Sequence, residues 1–200
     1  MAIPGQVRKI SEKLEVNLLS EEKPPLYIVS VGVSSDLNFT QKDAESIYNI
    51  FNGQFASLFQ TVRGELLVCP ENTTKAKIAT TIEKIKFQGL RRNDVLILFF
   101  SGHGINSLND SDDFYLETSD ANASISRYSL ISYQNDVIDN IKDLDCKRII
   151  LIDACQSGAA RQNGQKTGAI DYGRIQRIIS QTPPSIITLT SSPSNESSIT

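Results

Sequence analysis

Three segments of this chain are apolar almost without a break: "LYIVSVGV" (26–33), "DVLILFF" (94–100) and "KRIILIDA" (147–154). None alternates polar with apolar residues, as a strand with one wet face would. Each therefore reads as a strand buried on both faces, the signature of a parallel sheet covered by helices. The stretches between them fit. "TQKDAESIYNIFNGQF" (40–55) places Ala44, Ile47, Ile50/Phe51 and Phe55 at helical spacing, with Thr40 as N-cap candidate. "NTTKAKIATTIEKIKFQGL" (72–90) carries Ile78, Ile82 and Ile85 on one face. "SLISYQNDVIDNIKDL" (129–144) and "RIQRIISQ" (174–181) read as further helices, "GELLVCP" (64–70) and "SIITLTS" (185–191) as strands, and "FYLET" as a short hairpin arm in the polar loop 106–120. Strands alternating with helices predict an α/β fold, a three-layer α/β/α sandwich with a mostly parallel sheet.

Ahead of this pattern, Val7, Ile10, Leu14 and Leu18 form a helix-like stripe, and "SEEKPP" (20–25) ends it. Residues 1–25 thus read as an N-terminal helix and linker, and 26–200 as one domain. The segment is a peripheral helix, the tail of an upstream sensor module or a docking helix. It lacks a basic start followed by an apolar core, so it is not a secretory signal. No apolar run nears the roughly 20 residues of a membrane span. With 20 Lys and Arg against 23 Asp and Glu, and no basic block, the chain carries no footprint for nucleic acid. Three widely spaced cysteines, Cys69, Cys146 and Cys155, make no disulfide framework and fit a reducing, cytoplasmic setting. One histidine and no C-x-x-C pair argue against structural zinc.

That one histidine, His103, stands in "LFFSGHGI" (98–105), at the end of a buried strand. Cys155 stands at the end of another, in "LIDACQSG" (151–158). In parallel sheets ligands bind at the carboxyl ends of the strands. If the two strands are parallel and close, both side chains emerge at one edge. A thiol is nucleophilic only as thiolate, and a neighbouring imidazole can deprotonate it and later protonate a leaving amine. Glycines beside them allow backbone N–H groups to approach an oxyanion. Taken singly, a glycine-flanked histidine serves equally well to close a turn, and a strand-end cysteine is commonly a small buried hydrophobe. Cys69, before a proline, and Cys146, before a lysine, lack this setting and read as structural.

At these residues the sequence resembles the caspase/metacaspase clan of cysteine proteases, most closely its bacterial, metacaspase-like (orthocaspase) members. The matching pieces are "LYIVSVGV", "QKDAESIYNIF", "DVLILFFSGHG", "RIILIDACQSG" and "IITLTSSPSNESS", in the family's order over residues 26–198. His103 precedes Cys155 by about 50 residues, as in caspases. The resemblance implies a peptidase acting on protein or peptide substrates, with His103 as general acid/base and Cys155 as nucleophile. It makes the backbone N–H groups of Gly104 and Cys155 the oxyanion hole, and it requires no third side chain and no cofactor.

The departures are informative. Caspases have Gln-Ala-Cys where this chain has Asp153-Ala154-Cys155. In metacaspases that aspartate lines the primary pocket and binds Arg or Lys, so the resemblance implies cleavage after a basic residue. Asp36, in a first loop shorter than usual, is a candidate second acidic wall. Ser191 and Ser192, on the strand bordering the substrate groove, complete the substrate-binding set. Asp110, Asp112 and Asp113, with Asp120 beyond, lie where calcium-activated members carry ligands, though their spacing fits no strict template. Arg161 and Lys166 lie where members are cut between subunits and are candidate autocleavage sites. Members usually continue into another helix and strand, so the reading expects a C-terminally incomplete domain: a fragment, or one whose last segment was removed or lies on another chain. Two alternatives stay open: a non-catalytic caspase-like scaffold, and an acyl hydrolase of small amides.

Overall fold

The computed structural model describes residues 23–34, 37, 39–106, 113–121, 127–155, 160–162, 165–167 and 177–191. Strand β1 (Leu26–Gly32) is buried along its whole length, as its unbroken apolar run predicts. It pairs in parallel with β2 (Val62–Leu67) on one side and with β3 (Val95–Asn106) on the other. Beyond β3 come β6 (Lys147–Cys155) and β9 (Ile186–Thr190), both parallel, giving the order β2-β1-β3-β6-β9. Two short strands, β4 (Phe114–Glu117) and β5 (Leu130–Ser132), extend the far end of β3 with antiparallel pairing. The described sheet therefore has seven strands and is mostly parallel.

Helix α1 (Thr40–Asn49), continued by a π-turn, lays Ile47, Tyr48 and Phe51 on Leu26, Ile28 and Ile97. Helix α2 (Lys75–Lys84) covers the opposite face, with Ile78 and Ile82 packed among Val29, Val31, Leu96 and Leu98. These two helices make the fold a three-layer sandwich. Each fully buried aliphatic side chain contributes roughly 1.5–3 kcal/mol. The α2 start is capped by Thr74, whose side chain accepts from the Lys77 amide at 3.3 Å.

Three local expectations are corrected. Thr40 is not an N-cap: it is the first residue of α1 and is buried, and its hydroxyl donates to the Val33 carbonyl at 2.9 Å. This bond ties the helix start to the end of β1. Gly32 allows the approach, since a Cβ there would lie 2.4 Å from the Thr40 carbonyl oxygen. The segment 129–144 is not one helix. Leu130–Ser132 pairs with β4, and a π-turn (Tyr133–Ile138) with a helical turn, α3 (Asp139–Ile141), follows. Finally, "SGHG" is not a turn past the end of a strand. β3 runs through it to Asn106 and passes from its parallel neighbours to the antiparallel pair with β4.

Candidate active site

The register of β3 and β6 assembles the site. Ser101 stands beside Asp153, Gly102 beside Ala154, and His103 beside Cys155. Neighbouring strands run about 4.8 Å apart, so the nucleophile and base candidates occupy adjacent positions at one sheet edge. His103 is only 4% exposed. Gly104, the next residue, is required by packing. A Cβ there would lie 2.6 Å from Cζ of Phe114 and 3.2 Å from Cβ of Ala154. The room left by this glycine holds the Phe114 ring, which is itself 2% exposed.

On the α1 face of the sheet the Ser101 hydroxyl donates to Asp43 Oδ2 at 3.4 Å. Ser101 thus lies between Asp43 of α1 and Asp153 of β6, both half-buried. Neither carboxylate forms an ion pair among the described residues. Asp153 stands two residues before Cys155, and Asp43 meets Ser101, two residues before His103, so both carboxylates lie near the candidate pair on the α1 side of the sheet. Sequence reasoning misses Asp43 and Ser101. The available signal is an acid three residues after Thr40, on the helix face that also carries Ala44 and Ile47.

The remaining candidates divide. Ser191 lies just past β9, and its amide donates to the Ile152 carbonyl at 2.9 Å, carrying the β6–β9 ladder one step toward the site. Arg161 and Lys166 are register partners in the two-stranded hairpin β7 (Ala160–Gln162) and β8 (Gln165–Thr167). Asp36, Ser192, Asp110 and Asp112 lie outside the described residues. Asp113 is 6% exposed and serves the local fold: it accepts from Ser132 Oγ at 2.5 Å, the Gln134 amide at 3.1 Å and the Phe114 amide at 2.8 Å. Asp120 accepts from the Lys75 amide at 2.9 Å and from Thr118 Oγ1 at 2.6 Å. Partial burial works against the charge, but these bonds outweigh it and hold the carboxyl below its usual range. Among the described residues no three acidic, histidine or cysteine groups cluster as metal ligands would.

The other two cysteines differ from each other in setting. Cys69 is exposed. Cys146 is buried, and burial pushes its thiol up to about 11, outweighing the opposing effect of Arg148.

The sequence matches the family described as the caspase domain over residues 27–199. The chain belongs to the caspase-domain family. That family is one of cysteine peptidases, enzymes that act on protein substrates. The match includes His103, Cys155 and all of the described sheet but its first residue, Leu26. Among solved structures, the chain is similar to protein GSU0716 from Geobacter sulfurreducens, with 18% identity and a TM-score of 0.48, over 80% of this chain and 67% of that one. No curated protein matches it. No described helix of this caspase domain is long and apolar enough to cross a membrane.

Proposed function

We propose that the protein is a cysteine endopeptidase of the bacterial metacaspase-like type, cleaving after Arg or Lys with a Cys155–His103 dyad. The observation that carries this reading is the register that sets His103 directly beside Cys155. His103 takes the thiol proton, and the thiolate attacks the scissile carbonyl carbon. The resulting oxyanion accepts from the backbone N–H groups of Gly104 and Cys155. Collapse breaks the C–N bond, and the imidazolium gives its proton to the leaving amine. His103 then takes a proton from water, whose oxygen displaces the thioester sulfur and frees the new carboxylate. The scheme needs no cofactor, and its free thiolate suits a reducing, cytoplasmic compartment.

Specificity follows from charge. Asp153 and Asp43 flank Ser101 beside the dyad and form no ion pair among the described residues, so a guanidinium or ammonium finds two acceptors there. Asp43 thus supplies an acidic wall on the α1 side, beside the one expected at Asp36. The same specificity fits self-cleavage at Arg161 or Lys166, which a single band for Cys155→Ala beside two for the wild type supports.

A panel of fluorogenic peptides ending in Arg, Lys or Asp tests the proposal. The Arg and Lys peptides are cleaved, the Asp peptide is not, and Cys155→Ala cleaves none. Asp153→Ala lowers kcat/KM for the Arg peptide by about 100-fold or more, the scale for stranding a buried charge partner. It leaves alkylation of Cys155 by iodoacetamide intact. Undiminished cleavage in Asp153→Ala would overturn the pocket assignment. A wild type inert to all three peptides favours the scaffold or small-amide readings.

A further inference from the structure

The apolar stripe Val7, Ile10, Leu14 and Leu18 has no place in the site, and it lies outside the described residues. A helix of about twelve residues is marginal in water unless its apolar face packs against something. Such a stripe therefore needs a partner surface. The described chain begins at Lys23, five residues after Leu18. Five residues reach about 17 Å at full extension. A partner surface on the same chain thus lies close to Lys23.

Lys23 is held at the base of the sheet, the end of the strands opposite His103 and Cys155. Its ammonium donates to the Ser57 carbonyl at 2.6 Å. One residue on, the Pro24 carbonyl accepts from the Gln60 amide at 3.1 Å, and the Leu26 amide donates to the Thr61 carbonyl at 2.8 Å. The chain therefore enters β1 alongside residues 57–61. Ser57 lies in the 3-10 turn Ala56–Leu58 that follows α1. Two large apolar side chains flank it: Phe55 is 44% exposed and Leu58 59%. The Phe55 ring meets Phe51 edge-on, with centroids 5.8 Å apart, and Phe51 packs on the core cluster of Leu26, Ile28 and Ile97. The patch is thus an outward continuation of the core on the α1 side. A single exposed leucine needs no explanation. Two apolar groups beside the very residue that tethers an amphipathic segment do.

The rival surface is β9, whose Ile187 and Leu189 are also exposed. β9 lies three strands from β1, about 14 Å at the usual strand spacing. Reaching it takes nearly the whole tether before the helix begins. A short tether also sets the effective concentration of the segment at its own chain's patch near the millimolar range, above that of a second copy at ordinary protein concentrations. We propose that residues 7–18 form a helix whose Val7–Leu18 stripe docks on Phe55 and Leu58 of the same chain, closing the base of the α1 layer. The dock lies at the strand ends away from Cys155, so it braces the entry to β1 without covering the candidate site.

The test is photo-crosslinking in the full chain, with p-benzoylphenylalanine in place of Leu14 or Leu18 and, as control, of Glu12 on the opposite side of the stripe. Products are mapped by peptide mass spectrometry in a mixture of isotopically light and heavy protein. The probes at the two leucine positions are expected to mark residues 51–59 of their own chain, and the control to mark them far less. Phe55→Ser with Leu58→Ser removes these crosslinks, whereas Ile187→Ser with Leu189→Ser leaves them. Crosslinks on residues 186–190, crosslinks between light and heavy chains, or yields no higher than the control's would overturn the proposal. A second measurement changes no described residue: Leu14→Glu with Leu18→Glu is expected to speed amide hydrogen exchange in residues 50–60 about tenfold. Unchanged exchange there would overturn the proposal as well.

Discussion

Gly104→Ala tests how the fold holds the histidine strand. The added Cβ would sit 2.6 Å from Cζ and 2.7 Å from Cε2 of Phe114, and 3.2 Å from Cβ of Ala154. Real contacts do not approach so closely, so something must move. The Phe114 ring is 2% exposed and its backbone is paired with Asn106, and Ala154 belongs to the central strand β6. Overpacking of this kind costs about 1–3 kcal/mol, and the buried, doubly anchored neighbours place it at about 2–3. For a domain of this size that corresponds to roughly 4–10 °C in Tm. The assay is thermal and urea unfolding of four proteins: wild type, Gly104→Ala, Phe114→Leu, and the double variant. Phe114→Leu alone destabilises, but in the Gly104→Ala background it relieves the clash. The cycle should therefore show a favourable coupling of at least about 1 kcal/mol. Gly104→Ala within 0.5 kcal/mol of wild type, with additive effects in the double variant, would refute the packing argument.

Two further outcomes follow from groups outside the dyad. The Cys146 thiol has an ordinary value of 9.0 and is pushed up to about 11 by burial, so between these values the unfolded chain ionises first and holds fewer protons. Stability therefore falls as pH rises from 9 to 11, by about 2 kcal/mol from this group; Cys146→Ala flattens that slope, and an unchanged slope counts against the assignment. Asp113→Ala strands the Ser132 hydroxyl and the Gln134 amide, so it should cost about 2–4 kcal/mol in urea unfolding. The loss should be equal in EGTA and in calcium; a loss seen only in calcium would return Asp113 to a metal site.

What the sequence made legible was whatever burial on two faces writes into composition. β1, β3 and β6 are continuous apolar runs because both faces of the sheet are covered, and the two candidate site residues follow the apolar stretches of β3 and β6. The parts set by pairing were hidden. Leu130 and Ile131 fit a helical stripe as well as a strand, and only the β4 partner decides between them. "SGHG" contains two glycines and reads as a turn, yet its backbone continues the ladder from β6 to β4. Thr40 has the side chain of an N-cap but spends its hydroxyl on the end of β1. Asp43 reads as a solvated helix residue until the hydrogen bond from Ser101 ties it to β3. In each case a contact between residues far apart in the chain decided the outcome, and local pattern does not encode it.

The central claim is that His103 activates Cys155. It is tested most directly by the rate of Cys155 alkylation with iodoacetamide at pH 6.5, read by peptide mass spectrometry in wild type and His103→Ala, with exposed Cys69 as internal reference. A free thiol is only about 1% thiolate at that pH. The account expects Cys155 in the wild type to react at least about tenfold faster than in His103→Ala, with Cys69 unchanged. Equal Cys155 rates in the two proteins would contradict it.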